Sequence, residues 1–514
     1  MCKPRLRTLL TGSSLRQEVR AQLCISLPVA FSAVLRRTMT VVTVAFVGRL
    51  GKQALAAAAL AQSTTNTVAL SVFVGLSSAS VTLVSQAVGA REERWAALWL
   101  HHAVVVHCLA AVPLTLLLLF FGPLMRAVGE DGELSALAGK YAQLLLPGLW
   151  GWALLWALQP WLQCHGVVRV QTLTAGLTAA LHPCLLALLT RRLGLRGAAL
   201  AESISNCVSF LLLLLAAGCT PLRRALPWAR PSRASVARLL DFLRLGLPGV
   251  VMMLEWWASE ICILVSGLLP APALALSSLS IVQSVNAVAF MLPLGASVAG
   301  ATRVGAALGR ADHEGARCAA ATCGSLGVCF GATTGLLLLL LRRGVGGLFT
   351  QDEEVVSLVG TLLLPLSVYV LADATQVCCS GVLQGCGRQR LGMPVVLACY
   401  YAVGLPLGGA LAFTAGWGAR GMVLGMCAGK LLHAAALVVL VSRTDWRREV
   451  REAAARLQGE GEDRPVELAP APGVDEDGGR EGGGAAETQE GREAESGRAA
   501  LIGRAPPDRE SAKV

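Results

Sequence analysis

Charge is what this chain most conspicuously lacks. Of its 514 residues only 15% are Asp, Glu, Lys or Arg, against 54% hydrophobic. A water-soluble domain carries about 25% charged residues, so this composition excludes an ordinary globule and indicates a bilayer. No GxxxxGK[ST] phosphate loop occurs, which argues against transport driven directly by a nucleotide bound to this chain. The sixteen cysteines contain no CxxC pair and are scattered through apolar stretches, as at Cys108, Cys184, Cys207, Cys262, Cys399 and Cys427. They read as small buried hydrophobes rather than disulfides or a metal site. The three asparagines, Asn66, Asn206 and Asn286, lie in apolar runs, and none begins a glycosylation sequon. The net charge of +11 is not gathered into an aromatic-interleaved basic face, so nucleic acid is set aside. No Ser/His/Asp or metal-ligand constellation suggests an enzyme or a bound cofactor. The opening MCKPRLRTLLTGSSLRQEVR has no short apolar region before a cleavage site, so the first span is expected to direct insertion.

What is abundant is apolar length. A helix needs about 20 apolar residues to cross the hydrocarbon. Twelve stretches qualify, near 21–48, 54–89, 98–122, 134–160, 168–190, 197–219, 236–268, 272–300, 314–341, 353–384, 393–413 and 421–442. The expected fold is an all-α polytopic membrane protein. Prolines such as Pro28, Pro160, Pro248, Pro365 and Pro406 lie in or beside these spans and predict kinks. Arginines concentrate before span 1, between spans 6 and 7, and after span 12, which places both termini in the cytoplasm. The expected division is a segment 1–20, spans 1–6 over 21–219, and a basic linker 220–235. Spans 7–12 follow over 236–442, then a tail 443–514. Beyond 457 the tail is rich in Gly, Glu and Pro, too polar to bury a core, and is predicted to be disordered.

The two halves repeat at an offset near 220. Leu27-Pro28 answers Leu247-Pro248; Gly75, Ser77, Val84, Ala87 and Gly89 answer Gly295, Ser297, Val304, Ala307 and Gly309. Six spans per half is even, so both halves enter from the same side. The repeat is therefore parallel, as in one class of secondary transporters with a site between two bundles near mid-membrane.

Ionisable groups within spans are functional candidates, because placing them in hydrocarbon costs several kcal/mol. Glu255 interrupts MLEWWASEICILVSGLLP, and Asp373 interrupts LPLSVYVLADATQVCCSG. A carboxylate in a partly desolvated cavity can load and release a proton. Glu260 lies five residues on, about 140° around the helix, and cannot share one narrow face with Glu255. It reads as a cavity-edge group or an interhelical partner. Trp256, Trp257 and Tyr369 are walls or packing residues, with a ring face available to a cation. Asn66 can bond across helices or assist a cation site, and Gln283, Ser284 and Asn286 make span 8 polar. Arg36 and Arg37 sit near the middle of span 1, where the repeat sets Leu35 opposite Glu255. They either face the cavity, pairing an acid or drawing an anionic group, or reach backbone carbonyls and headgroups. Lys430 and Glu202 read as structural pairs; His182 or His433 could relay protons.

These segments resemble the multidrug and toxin extrusion (MATE) family, of eukaryotic type. The matching pieces are PVAFSAVLRRTMTVVTVAFVGRLG, SVFVGLSSASVTLVSQAVGA, MLEWWASEICILVSGLLP, SVAGATRVGAALG, CSGVLQGCGRQRLG, YYAVGLPLG and RTDWRREV. The resemblance spans roughly 17–455. It implies a V of two pseudosymmetric six-helix lobes around a central cavity. The implied activity is antiport: entry of protons, or alternatively Na+, drives efflux of organic cations, xenobiotics or other amphipathic compounds. Glu255 then corresponds to the acid before the paired tryptophans, Asp373 to a second cavity acid, and Asn66 to a cavity asparagine. Ser284 stands where vertebrate members carry glutamate, and Arg36–Arg37 is a further departure. A monomer in the plasma or vacuolar membrane is expected. Two other readings stay open: a lipid-linked oligosaccharide flippase of similar two-lobe architecture, and a receptor or scaffold acting through its acidic tail.

Overall fold

The computed structural model of the chain describes residues 13–220 and 233–457, and every helix below lies within them. The residues expected to form the start of the N-terminal segment, most of the basic linker and the tail beyond 457 lie outside that range. No strand occurs among the described residues. Span 1 is Ser13–Gly48, and span 2 runs from Lys52 to Gly89 with a π-helical turn at Asn66–Leu70. Span 3 is Glu93–Leu119, span 5 Val168–Leu193 and span 6 Leu195–Gly218. Span 4 is broken: Gly132–Leu144 and Leu146–Cys164 meet at 48°. Leu145 is followed two residues later by Pro147, which has no N–H to continue the ladder.

In the second half, span 7 comprises Arg233–Met252 and Leu254–Ser266, interrupted at Met253. Pro248 withholds an N–H from the Arg244 carbonyl, and Arg390 Nε approaches that carbonyl at 3.5 Å. Span 8 is likewise two pieces, Pro272–Ala289 and Met291–Gly309, separated by Phe290. Span 9 is His313–Val345, span 10 Glu353–Cys386 and span 12 Gly418–Ser442. Span 11 starts at Gln389 and carries two π-helical stretches, Leu397–Gly404 and Ala410–Thr414, on either side of Pro406. A proline frees the carbonyl four residues before it, and a wider turn is one way the ladder absorbs that defect. By length and apolarity alone, twelve described segments qualify as spans, with the bent pair of span 4 a thirteenth. The two consecutive pieces of span 8 are counted separately there; joined, they restore the twelve expected from sequence.

Apolar packing largely follows the halves. Leu76, Leu83, Trp99, Trp161 and Leu158 form a first-half core that also receives Phe242 from the first piece of span 7. A second-half core gathers Cys262, Leu279, Leu362, Leu366, Tyr400 and Met422. Span 7 is thus shared: its first piece packs largely with the first half, although its last residue, Met252, joins the second-half core, and its second piece packs with the second half.

The repeat is visible in the contacts themselves. A Cβ at Gly75 would collide with Val250 of span 7, and one at its repeat mate Gly295 would collide with Ser26 and crowd Ala30 of span 1. Ala30 is the repeat mate of Val250, so each lobe's second helix lies against the other lobe's first through one shared glycine contact. Gly89 likewise abuts the Ala306 carbonyl while Gly309 abuts the Gln86 carbonyl, mates meeting mates. The pseudo-two-fold axis therefore passes between these two glycines.

Hydrogen bonds between the lobes gather at that same end. Gln86 Nε2 donates to the Gly385 carbonyl at 3.0 Å, and Gln389 Nε2 to Thr82 Oγ1 at 2.9 Å. Arg303 Nε donates to Glu18 at 3.1 Å, and Gln22 Nε2 to the Ala319 carbonyl at 2.8 Å. A final helix, Trp446–Leu457, lies here as well, and its Arg456 bonds both Gln86 and the Cys386 carbonyl. Bulk at the axis should pry this closure apart. Gly89→Val is expected to raise hydrogen–deuterium exchange in peptides covering 78–90 and 300–310, relative to the unaltered chain; unchanged protection would show that the glycine contact does not hold this end.

Candidate functional site

The break at Met253 sets the stage for the charged cluster. Glu255 lies two residues beyond it, in the first turn of the second piece, and is 6% exposed, turned into the second-half lobe. Asp373, at 4% exposure, comes from the middle of span 10, and Lys430, at 3%, from the middle of span 12. Lys430 Nζ donates to Asp373 Oδ1 at 2.7 Å and stands 3.8 Å from Glu255 Oε2. One turn along span 12, His433 is fully buried and brings Nδ1 to 3.5 Å from the same Glu255 oxygen. The Tyr400 hydroxyl, carried on the π-helical stretch of span 11, lies 3.2 Å from that Nδ1. Tyr369 and Tyr400 place their rings 5.1 and 5.2 Å from the ammonium. Tyr401 ties the site to the broken span, its hydroxyl donating to the Leu254 carbonyl at 2.9 Å.

Two acids, one ammonium, one imidazole and two phenols thus share a dry pocket built from four spans. Burying such charges is tolerable only because they face one another, and the low local polarity strengthens each pairing. Span 12 can approach this closely because Gly425 and Gly429 lie against Gly404, Gly408 and the Cys399 carbonyl of span 11.

The sequence candidates divide accordingly. Glu255, Asp373 and Tyr369 converge. Gln283, Asn286 and Tyr369 line an adjoining cavity of about 50 Å³ with Ser259, Cys262 and Met426. The Asn286 Oδ1 is buried there without a hydrogen-bond partner. Ser284 turns back onto its own helix, its hydroxyl donating to the Ser280 carbonyl at 2.9 Å. Trp256 packs edge-on against Phe290 at 6.3 Å. Trp257 reaches across the lobes, Nε1 donating to Ser71 Oγ at 3.1 Å. Glu260 stays outside the cluster, half-buried, with the Arg37 charge acting on it from span 1. Arg36 is half-buried and Arg37 exposed; among the described residues neither is within hydrogen-bond or ion-pair reach of a partner. Asn66 is half-buried at the π-helical turn of span 2 and takes no part in the second-half cluster.

The first half holds two smaller polar sets. Gln62 Nε2 donates to both Glu202 oxygens at 3.0 and 3.1 Å, and the Tyr141 hydroxyl donates to Glu202 at 3.3 Å. His182 bridges Thr43 and Ser205, at 2.8 Å on each side. Both sets are locally satisfied, whereas Glu255 Oε2 and His433 Nε2 have no hydrogen-bond partner.

Sequence reasoning gave Lys430 a pairing role but did not place it between the two acids. One available signal was the spacing in GKLLHAAAL, which puts Lys430 and His433 on one face of span 12. The energetics follow from the geometry. Asp373→Asn leaves the ammonium with only the longer Glu255 contact and is expected to cost about 3–5 kcal/mol, read as a lower thermal midpoint in detergent. The double variant Asp373→Asn/Lys430→Met should recover much of that loss, because it removes the stranded charge.

Comparison with known proteins agrees with this architecture. The MatE family model matches the chain twice, over residues 28–188 and 249–409, in register with the internal repeat. Protein DETOXIFICATION 16 of Arabidopsis thaliana is 33% identical over 449 residues, spanning 87% of this chain and 92% of its own. Protein DETOXIFICATION 36 of the same plant is 32% identical over 433 residues, 84% of this chain and 86% of its own. The solved eukaryotic MATE transporter AtDTX14 superposes with a TM-score of 0.82 at 30% identity, over 87% of this chain and all of that one. A Pyrococcus furiosus transporter of the MOP superfamily, 19% identical, shares the fold with a TM-score of 0.74 over 87% of this chain and 99% of its own. The chain belongs to the MATE family of multidrug and toxin efflux transporters, multi-pass membrane proteins that are not enzymes.

Proposed function

We propose that this transporter is a proton-coupled antiporter that expels organic cations or cationic amphiphiles, with Glu255 and Asp373 as its coupling carboxylates. The observation that carries this reading is the position of Glu255 two residues beyond the break in span 7. The first piece of span 7 is packed on span 2 of the opposite lobe, and the second piece holds Glu255 against spans 10 and 12. A change of charge at Glu255 therefore acts on a helix that both lobes hold. Proton entry would neutralise Glu255, relax its pull on Lys430 and His433, and let the second piece of span 7 re-pack. The cavity lined by Gln283 and Asn286 would follow. Substrate and proton drive the lobes in opposite directions only if each binds the two arrangements unequally.

Arginines clustered at the ends that carry both termini support a cytoplasmic assignment for the closed end of the molecule. The arrangement described here is then the outward-directed one, in which substrate leaves and protons enter. We place the protein in the plasma membrane, acting as a single chain. The Arg37 charge, which acts on Glu260 from span 1 without pairing with it, favours a substrate region of mixed sign, suited also to zwitterionic compounds.

The test is exchange in proteoliposomes under an imposed pH gradient, using tetraethylammonium as cationic probe beside an anionic and a zwitterionic probe. The unaltered chain should concentrate tetraethylammonium, and Glu255→Gln should lower proton-driven exchange by about tenfold or more, equivalent to at least about 1.4 kcal/mol of lost coupling. Undiminished proton-driven exchange in Glu255→Gln would remove the coupling assignment.

A further inference from the structure

The two carboxylates of the cluster are not equivalent, and the difference lies in Lys430. Its ammonium is bonded to Asp373 at 2.7 Å but stands 3.8 Å from Glu255, beyond hydrogen-bond reach. Lys430 is 3% exposed and Asp373 4%, so neither can exchange its partner for bulk water. Glu255 Oε2, by contrast, is buried and lies within hydrogen-bond distance of no donor among the described residues. The groups facing it are Lys430 and His433 from span 12, Asp373 and Tyr369 from span 10, and Tyr400 from span 11. Tyr401, also from span 11, bonds the neighbouring backbone.

Charge counting then separates the roles. With the imidazole and the phenols neutral, two carboxylates and one ammonium leave the cluster with one uncompensated negative charge. One proton cancels it. A second proton on Asp373 would leave the ammonium buried without its closest partner, which a dry interior strongly disfavours. The ammonium also sits where an alkali cation bridging the two acids would have to sit. The flanking Tyr369 and Tyr400 rings, 5.1 and 5.2 Å away, favour a cation at that point and confine it there.

We propose that Lys430 is a resident cation: it holds Asp373 permanently ionised, confines the exchangeable charge to a single proton on Glu255, and excludes Na+ from the carboxylate pair. This deepens the antiport reading and rests on it for its role in transport, but the charge count is a property of the folded protein alone. In substrate terms it makes Lys430 a selectivity residue, one that specifies proton over sodium without touching the transported compound. The proton enters as H+, binds a Glu255 oxygen, and leaves as H+; no other bond changes.

The experiment is infrared difference spectroscopy of the full chain in lipid between acidic and alkaline pH, reading the carbonyl stretch of protonated carboxyl groups. Comparison of each variant with the unaltered chain removes the signal of surface acids. The expected result is one cluster signal in the unaltered chain, lost in Glu255→Gln and kept in His433→Gln. Lys430→Met should add a second signal, absent again in Lys430→Met/Asp373→Asn. It should also introduce saturable ²²Na+ binding that the unaltered chain lacks. Lys430→Arg, which keeps the charge, should keep a single signal and covers the case in which Lys430→Met does not fold. A titrating Asp373 in the unaltered chain, a second signal in Lys430→Arg, or a folded Lys430→Met with one signal and no ²²Na+ binding would each overturn the proposal. Absence of proton-driven tetraethylammonium exchange in a chain that shows the expected signals would instead overturn the antiport reading and leave the charge count standing.

Discussion

The second-half lobe depends on the placement of an ammonium between two deeply buried carboxylates. Lys430 and Asp373 at 2.7 Å need each other, since either alone would be a buried charge without compensation. That requirement fixes span 12 against span 10, and the glycine-lined contact with span 11 is what lets the backbones come close enough. Glu255 is held by the same ammonium at longer range, so it is the acid whose charge can change without dismantling the pair.

A charge held inside one lobe can move the molecule only through a helix that belongs to both. Span 7 is such a helix, and it carries Glu255. Pro248 weakens its ladder, Met253 interrupts it, and Phe242 and Val250 keep its first piece in contact with the opposite lobe. Trp257, bonded to Ser71, gives the second piece its own contact across the lobes. The closed end is held differently, by glycines on the pseudo-two-fold axis, by amide donors on carbonyl and hydroxyl oxygens, by the half-buried Arg303–Glu18 ion pair, and by Arg456 from the terminal helix. Bonds of that kind are individually modest and exchange readily, as a closure that must open requires.

Much of the fold was legible in the sequence. Apolar length gave the spans because a helix in hydrocarbon must be long and nearly uncharged, and the repeat gave the pairing of halves because small residues recur where backbones touch. Gly75 with Gly295 and Gly89 with Gly309 were readable as a pattern, although which helices they brought together was not. The break of span 4 at Leu145 was missed because its apolar run is continuous, and composition does not register a bend. The shared character of span 7 was hidden for the same reason.

The sequence by itself determined that Glu255 and Asp373 are unusual, since an acid amid apolar residues stands out without any knowledge of its neighbours. It determined the family as well, through the residues around EWW and along the repeat. The tertiary structure was needed to show that these acids share one lysine, that His433 and Tyr400 complete the set, and that Glu260 stays outside it. The reason is geometric. Residues 255, 373, 400 and 430 lie on four different spans, and the distance between them is set by how the helices pack, which no spacing along one chain encodes.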